Sequence, residues 1–390
     1  MGTDTNARSD VASAHPAAAT LPPPATSLRR RERGTVTQTL RVDPHEPEAE
    51  AIAHAARVLR EGGTVAFPTE TVYGLGANAL DARAVRRIFE AKGRPAEDPL
   101  IVHLGAADEL DRVARRNPAM VRSLVETFWP GPLTLVLPRA PEVPSEVTAG
   151  LETVAVRVPA HPVALALLRV AGVPVAAPSA NRYGRASPTN AQHVLDDLEG
   201  RIDLVLDGGP TTIGVESTVL DLTREPPRIL RPGGVPREAL EAIVGPVEVA
   251  ALVAPTGAGA PSPGLAASHY RVTSDLVVVE CGSPRAGPDV LAAMRQAAGD
   301  AARAGRRVGL LLAEEDLPAL AAQGDDARAE IRALGGAENL AAVARNLFSA
   351  MRELERAGVE VIVTRTFGER GLGPAIADRL GRAASRLIRP

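Results

Sequence analysis

The stretch TVAFPTETVYGLG, residues 64–76, places a short apolar strand directly before a loop of hydroxyl, carboxylate and glycine residues. Upstream, the segment from Pro47 to Leu59 has the apolar spacing of an amphipathic helix, and Gly62 and Gly63 signal its end. Polar side chains at a strand end are typical of a pocket for a small polar ligand, because glycine lets the backbone come close. A turn with incidental polar residues is the alternative interpretation.

Strands and helices continue to alternate along the chain, which predicts two α/β regions. Up to Pro236 their pattern is that of one mixed α/β domain. A Pro-, Gly- and Ala-rich stretch, Ala254 to Ala267, lacks periodicity and is typical of a linker. Beyond it, strands and helices alternate regularly, with a last helix over Ala375 to Leu387. This second pattern predicts a small parallel sheet covered on both faces.

The start of the chain differs from both regions. Residues 1–45 show neither helical nor strand periodicity and cannot bury enough apolar area to offset their ordering entropy. No uninterrupted apolar run approaches the ~20 residues needed to span a bilayer, which predicts a soluble protein without membrane contact. We divide the chain into a disordered extension (1–45), a first domain (46–236), a linker (237–272) and a second domain (273–390).

The composition of the 390 residues excludes several chemistries. Lys92 is the only lysine among 44 basic residues, and because Gly93 and Arg94 follow it, no G-x-x-x-x-G-K-[ST] nucleotide loop exists. The single cysteine, Cys281, forbids an internal disulfide and a cysteine-cluster zinc site, which fits a reducing compartment. The seven histidines form no H-E-x-x-H motif. A net charge of -3 and 2% aromatic residues argue against a broadly basic nucleic-acid binder.

A second cluster of polar residues contains that lysine. Lys92 and Arg94 stand two residues apart where Gly93 and Pro95 end a helix, so both can point to one side of an extended turn. Two adjacent cations suit a triphosphate, lysine as a compact charge and arginine as a bidentate fork. The alternative is that they complement the helix macrodipole, which is worth roughly 0.3–1 kcal/mol. Arginine would serve that role equally well, so the retained lysine favours a point-charge function.

A third cluster again follows an apolar strand. Ser179, Asn181 and, a little further on, Ser187 carry hydroxyl and amide groups that fit a binding loop, although an Asx or ST turn uses the same residues. Arg157 and Arg231 are flanked by apolar neighbours, and a buried arginine needs an anionic partner.

Taken together, the order of these motifs resembles that of the YrdC-like threonylcarbamoyl-AMP synthases, in the long form with an extra C-terminal domain. The similarity spans roughly residues 47–235. The matching motifs are FPTETVYGLG (67–76), KGRP (92–95), DPLIVH (98–103), WPGPLT (129–134), VAVRVP (154–159), APSAN (177–181), SPT (187–189), ESTV (216–219) and LRPGG (230–234).

The resemblance implies a fold and a reaction. The fold would be a twisted mixed sheet with helices, the YrdC-like catalytic domain, joined to a smaller Rossmann-like parallel α/β domain. The enzyme, a nucleotidyltransferase, would convert L-threonine, bicarbonate and ATP, with Mg²⁺, into threonylcarbamoyl-AMP and pyrophosphate. A separate transferase would pass the threonylcarbamoyl group to tRNA, with which this chain would make at most a weak contact. Its location would be cytoplasmic.

The resemblance also implies residue roles. Lys92 and Arg94 would be catalytic, and no protein side chain is assigned to a metal. The ATP site would comprise Lys92, Arg94, Asp98, Thr153, Ser179, Asn181, Ser187, Arg231 and Tyr270, and the threonine site Thr71, His103, Arg157 and Ser217.

Two features depart from the family pattern. Asp98 stands where asparagine is common, and a carboxylate near a triphosphate is unfavourable unless it meets a metal or an arginine. The segment from Gly264 to Tyr270 lacks the basic residues common there.

Two other functions fit part of the pattern. One is a double-stranded RNA or tRNA-binding module of the same fold without this activity, which would bind RNA with a steep salt dependence. The other is a related carbamoyl-transfer domain that acts on a different acceptor.

Overall fold

A computed structural model describes residues 1, 36–115, 118–250, 269–320 and 329–390 of the protein, with residues 118 and 119 as backbone only. Most of the predicted extension and residues 251–268 of the predicted linker lie outside the described residues. The helices of the first region are α1 (Ala49–Arg60), α2 (Ala82–Lys92), α3 (Pro118–Phe128), α4 (Ser145–Thr148), α5 (Pro162–Ala171), α6 (Ala191–Leu198) and α7 (Arg237–Val244).

The strands of this region form one mixed sheet in the order β1-β8-β2-β3-β7-β4-β6-β5-β9-β10-β11. They are β1 (Gln38–Arg41), β2 (Val65–Phe67), β3 (Gly74–Asn78), β4 (Ile101–His103), β5 (Leu133–Pro138), β6 (Thr153–Arg157), β7 (Val175–Ala176), β8 (Leu204–Asp207), β9 (Thr218–Asp221), β10 (Arg228–Arg231) and β11 (Glu248–Val249). Strand β4 runs parallel to β6, whereas β6 runs antiparallel to β5. The predicted mixed α/β sheet is confirmed.

Helices cover this sheet because each presents an apolar stripe to it. In α1 the buried residues Ile52, Ala55, Ala56 and Leu59 follow the helical repeat, and Leu167 of α5 belongs to the same cluster. A larger cluster includes Ile88 of α2 and the strand residues of β4, β5 and β6. The two cores hold the strands in place, so the strand ends are fixed positions from which side chains can be aimed.

The second region is a parallel sheet in the order β14-β13-β15-β12-β16. Its strands are β12 (Asp275–Val279), β13 (Val308–Leu312), β14 (Glu330–Ala333), β15 (Val361–Arg365) and β16 (Arg386–Ile388), and its helices α8 (Pro288–Arg303), α9 (Leu317–Leu320), α10 (Leu340–Arg356) and α11 (Gly373–Ala383). The predicted parallel sheet is confirmed. The strands β13 and β15 are buried throughout, as expected for a sheet covered on both faces. In the described part of the chain, no helix is both long and apolar enough to cross a membrane.

Three predicted ranges differ from the sequence expectation. Residues 38–41, within the extension predicted to be disordered, form β1, which pairs in parallel with β8. The helix predicted over Ala375 to Leu387 is too long, because α11 ends at Ala383 and residues Arg386 to Ile388 pair with β12. Strand pairing there outweighs the local helical pattern. The range predicted as a linker, residues 237–272, is not irregular at its start. It begins with helix α7 and also contains strand β11, which pairs with β10.

The two sheets are joined by close packing and buried ion pairs. Arg352 of α10 donates to Asp197 of α6 at 2.7 Å and to the carbonyl of Ala186 at 2.5 Å. Gly214 has a φ of 81°, and a Cβ there would lie 2.4 Å from the Cα of Arg345 on α10. Only glycine therefore permits this approach of the two regions.

Candidate active site

A pocket lies where β4 and β6 end, closed by loops from across the first sheet. Its polar lining includes residues from eight separate segments of the sequence. They are Thr69, Thr71, Arg94, His103, Arg157, Ser179, Glu216, Ser217, Arg231, His269 and Tyr270.

The four residues assigned to threonine by resemblance all line this pocket. Strands β4 and β6 are parallel, and His103 stands opposite Arg157 in their register, so both side chains leave the same sheet edge. Arg157 donates from Nη1 to Oγ1 of Thr71 at 3.1 Å. Ser217 shares a hydrogen bond of 2.7 Å with Thr134 and accepts one of 3.2 Å from Arg231.

Glu70 is the anionic partner that the apolar flanks of Arg157 predict. Its Oε1 accepts from Nη2 of Arg157 at 2.7 Å, and its Oε2 accepts from the backbone N–H of Ala160 at 3.1 Å. Both members of the pair are buried. The pair orients the guanidinium, whose Nε has no hydrogen-bond partner in the described part of the chain. Glu70 was not among the predicted site residues, although it lies within the opening motif.

Burial keeps two pocket histidines uncharged. Desolvation, with the nearby charge of Arg157, lowers the pKa of His103 to about 3. Desolvation, with the charge of Arg94, lowers the pKa of His269 to about 3. At neutral pH each imidazole therefore offers one donor and one acceptor rather than a positive charge. His269 was not among the predicted site residues, although its neighbour Tyr270 was.

Lys92 lies behind the pocket wall rather than in its lining. It is the last residue of α2, which ends at Gly93 in the left-handed conformation. Its Nζ donates to the carbonyls of Ser179 at 2.6 Å and Asn181 at 2.5 Å. Burial, reinforced by Arg94, lowers the pKa of the Lys92 ammonium well below its ordinary value. The side chain thus holds the loop that follows β7 against the end of α2.

Arg94 does line the pocket, and it forms an ion pair with Asp98. The two side chains meet at 2.8 Å, and both are buried. The guanidinium also donates to the carbonyls of Asp98 at 3.1 Å and Pro99 at 2.8 Å. The Asp98 carboxylate is therefore paired with an arginine. A metal ion or an arginine is the partner that makes a carboxylate tolerable near a triphosphate.

The other predicted nucleotide residues take different positions. Ser179 lines the pocket. Asn181 donates to the carbonyls of Arg182 and Arg185 at 2.7 and 2.9 Å and so shapes the loop. Ser187 is buried and donates to Glu216. Thr153, the first residue of β6, is not in the pocket lining; a strand rises about 3.3 Å per residue, which places it about 13 Å from Arg157.

The far wall of the pocket depends on a close backbone approach. Arg231 ends β10 and donates to the carbonyl of Ser217 at 3.0 Å. A Cβ on Gly233 would lie 2.3 Å from the carbonyl carbon of Ser217, so only glycine permits this turn. Tyr270 has a φ of 62°, and its hydroxyl has no hydrogen-bond partner within the described residues. Burial raises the pKa of that hydroxyl to about 12, which keeps it protonated as a donor.

The charges in this lining favour an anionic ligand. Arg94, Arg157 and Arg231 are cationic, and Glu216 is the acidic side chain in the lining. Such a site can bind phosphate and carboxylate groups through bidentate hydrogen bonds. Among the described residues no group of three or more His, Cys, Asp or Glu side chains could hold a metal ion.

The fold and this pocket define a two-domain α/β enzyme for small anionic substrates. Residues 57–233 match the Sua5/YciO/YrdC family, whose sequence model is described as telomere recombination. Residues 235–385 match the model described as threonylcarbamoyl-AMP synthase, C-terminal domain. The chain belongs to the threonylcarbamoyl-AMP synthase family, as the motif resemblance predicted.

Individual relatives agree over most of the chain. Threonylcarbamoyl-AMP synthase of Bacillus subtilis is 44% identical over 92% of this chain and 100% of its own length. That of Pyrococcus abyssi is 45% identical over 86% of this chain and 94% of its own. The crystal structure of P. abyssi Sua5 complexed with L-threonine matches with a TM-score of 0.81 and 42% identity, covering 91% of this chain and 100% of that one.

Proposed function

We propose that the protein forms threonylcarbamoyl-AMP and pyrophosphate from L-threonine, bicarbonate and ATP, for the modification of tRNA. One observation carries the proposal: three arginines and the hydroxyls of Thr71 and Ser217 converge in one pocket of a chain from this family. Threonine supplies a carboxylate and a hydroxyl, and ATP supplies phosphates. The lining matches these groups in charge and in hydrogen-bonding capacity.

The proposed reaction places two anions against each other. Threonine and bicarbonate condense to N-carboxythreonine with loss of water. A carboxylate oxygen of this carbamate then attacks the α-phosphorus of ATP, and pyrophosphate leaves. No protein nucleophile is needed, so the site must position the reactants and stabilise the negative charge that develops.

The pocket side chains suit two subsites. Arg157, held by Glu70 and Thr71, would clamp the carboxylate of the threonine substrate. Ser217 would form a hydrogen bond with the substrate hydroxyl, as donor or as acceptor. Arg94 and Arg231 would face the phosphates, with Ser179 and the free hydroxyl of Tyr270 as further donors. Lys92 would act through the backbone of Ser179 and Asn181, behind the phosphate subsite.

The remaining components follow from this chemistry. Mg²⁺ would enter with ATP on the phosphate oxygens, where it supplies further neutralising charge. The product is an activated acyl adenylate, so a separate transferase must accept it and pass the threonylcarbamoyl group to tRNA. A cytoplasmic location would supply the three substrates and the acceptor, and it suits a chain with a single cysteine.

The test is pyrophosphate release by the purified protein without RNA. We expect release that requires ATP, threonine and bicarbonate together and that drops when serine or glycine replaces threonine. The adenylate product should be captured by mass spectrometry in the same reaction.

Each rival function gives a different result in this assay. An RNA-binding module would release no pyrophosphate and would bind tRNA with an affinity that falls steeply with salt. A domain for another carbamoyl acceptor would not require threonine. Either result would contradict the proposal.

A further inference from the structure

Glu216 brings a negative charge into a pocket proposed for anions. The side chain is 6% exposed and lines the pocket beside Ser217. Burial alone would raise the pKa of Glu216, but the charges of Arg379 and Arg231 and the hydrogen bond from Ser187 hold it below its ordinary value. The group is therefore a carboxylate at neutral pH. It would repel phosphate and carboxylate groups, because salt screens buried charges much less than exposed ones.

The larger compensating charge comes from the other sheet. Arg379 lies on α11, 163 residues further along the chain, and it is 1% exposed. Its Nε donates to Oε2 of Glu216 at 2.7 Å, while Ser187 donates to Oε1. Both oxygens of the carboxylate are thus engaged by groups outside the pocket lining.

The same guanidinium contacts two more parts of the pocket wall. Its Nη1 donates to the carbonyl of Pro232 at 2.6 Å, in the turn that follows β10, and to Asp378 at 2.9 Å. Its Cζ lies 5.3 Å from the centre of the Tyr270 ring, within cation–π range. A single residue of the second region therefore joins the loop before β9, the turn after β10 and the chain at Tyr270.

We infer that Arg379 is a positioning residue of the substrate site, which cancels the charge of Glu216 and holds Glu216 and Tyr270 in place. The pocket of the first sheet then admits anionic substrates only when α11 of the second sheet is docked on it. This inference rests on the proposed function, since the anions are ATP and N-carboxythreonine. The second region thereby becomes part of the site rather than an appendage.

The chain contains a matched control for a purely structural role. Arg365 also donates from Nε to a buried carboxylate at 2.7 Å, that of Asp316, and its Cζ lies 4.5 Å from the centre of the Phe367 ring. It is 0% exposed and lies in the second region, outside the pocket lining. Loss of either arginine leaves a buried carboxylate without its partner, but only Arg379 neutralises one that faces the pocket.

The experiment measures kcat and KM for ATP with the full-length protein and four variants: Arg379→Met, Glu216→Gln, the double variant and Arg365→Met. For Arg379→Met we expect a rise in KM for ATP of about tenfold or more, the size of one lost charge compensation, with a smaller change in kcat. In the double variant, KM for ATP should lie within about threefold of the value for Glu216→Gln alone, because the uncompensated carboxylate charge is gone. Arg365→Met should leave KM for ATP within about twofold of the wild type, because it acts only on stability.

Three results would overturn the inference: an unchanged KM for ATP with Arg379→Met, a double variant as defective as Arg379→Met alone, or an equal rise in KM with Arg365→Met. If Arg379→Met does not fold, Arg379→Lys replaces it and keeps the charge. With Arg379→Lys we then expect KM near the wild-type value when Glu216 is intact. A KM for ATP raised about tenfold or more by Arg379→Lys, although the charge is kept, would contradict the inference. If the wild-type protein itself forms no threonylcarbamoyl-AMP, the proposed function fails; if it does and Arg379→Met keeps its KM, only this inference fails.

Discussion

In each sheet a central parallel strand ends with a buried arginine. The two arginines differ in whether all of their guanidinium nitrogens donate a hydrogen bond. Arg157 ends β6, and its Nη1 and Nη2 donate to Thr71 and Glu70 while Nε has no partner within the described residues. Arg365 ends β15, and all three of its nitrogens donate, to Asp316 twice and to the carbonyl of Thr366 once. The same strand position thus provides a ligand site in one sheet and a closed ion pair in the other. The two positions differ because Arg157 keeps an unused donor, Nε, beside a pocket, whereas Arg365 does not.

The strongest test of this comparison replaces each arginine by methionine. Removing one partner of a buried ion pair typically costs about 3–5 kcal/mol, so both variants should lose stability in denaturant unfolding. Only Arg157→Met should also lose threonine affinity, with a KM for threonine raised about 100-fold by the lost bidentate contact. An equal rise in KM with Arg365→Met would remove the distinction between the two positions.

A substitution at Lys92 tests whether the pocket depends on the support that this side chain gives to the loop after β7. The Nζ lies within 2.6 Å of both carbonyls, and the side chain is 2% exposed, so a guanidinium does not fit without displacing the loop. We expect Lys92→Arg to lose about tenfold or more in kcat/KM, as overpacking shifts Ser179. Threonine- and bicarbonate-dependent ATP/pyrophosphate exchange measures this. Full activity with an intact fold would show that the compact ammonium is not required.

The carboxylate partners sharpen the comparison further. Glu70→Gln keeps one acceptor for Arg157 but removes the negative charge that orients it, so we expect kcat/KM for threonine to fall about tenfold. Asp316→Asn makes the equivalent change at Arg365 and should leave the kinetics unchanged. Steady-state kinetics of both variants, at matched folded fractions, decide the point. Altered threonine kinetics with Asp316→Asn would contradict the assignment.

Acid should destabilise the first region more than the second. The pKa of His103, His193 and His269 lies at about 3 and that of His161 at about 4, chiefly through burial, whereas residues 273–390 contain no histidine. The unfolded chain binds protons at these groups below about pH 6.5 and the folded chain does not, so stability is complete above pH 6.5 and falls as pH drops towards 3.

Denaturant unfolding at pH 7 and pH 5 measures this loss. Each such histidine can contribute up to about 1.4 kcal/mol per pH unit. His103→Gln should reduce the difference in unfolding free energy between the two pH values. An unchanged pH difference with His103→Gln would show that this imidazole is protonated in the folded protein.

Local pattern predicted the α/β class of both regions but not every strand, since β1 lies in the extension predicted to be disordered and β16 in a predicted helix. Apolar runs separated by helices predicted a mixed α/β domain and then a parallel sheet, because buried strands and amphipathic helices follow different repeats. Polar residues directly after strands also predicted where a pocket would form, since strand ends are shared edges. Sequence reasoning missed four residues of the site, whose role depends on what lies next to them in space: Glu70, Glu216, His269 and Arg379.

The sequence by itself determined the order of strands and helices and the motifs that fall at the strand ends, since both follow from spacing along the chain. Only the tertiary structure decided that the Lys92 ammonium meets two backbone carbonyls, that residues 386–388 extend a sheet rather than α11, and that Arg379 reaches Glu216. Each of these depends on a contact between residues far apart in the sequence. Such contacts form when burial forces polar groups to find partners, and local spacing carries no record of which partner is within reach.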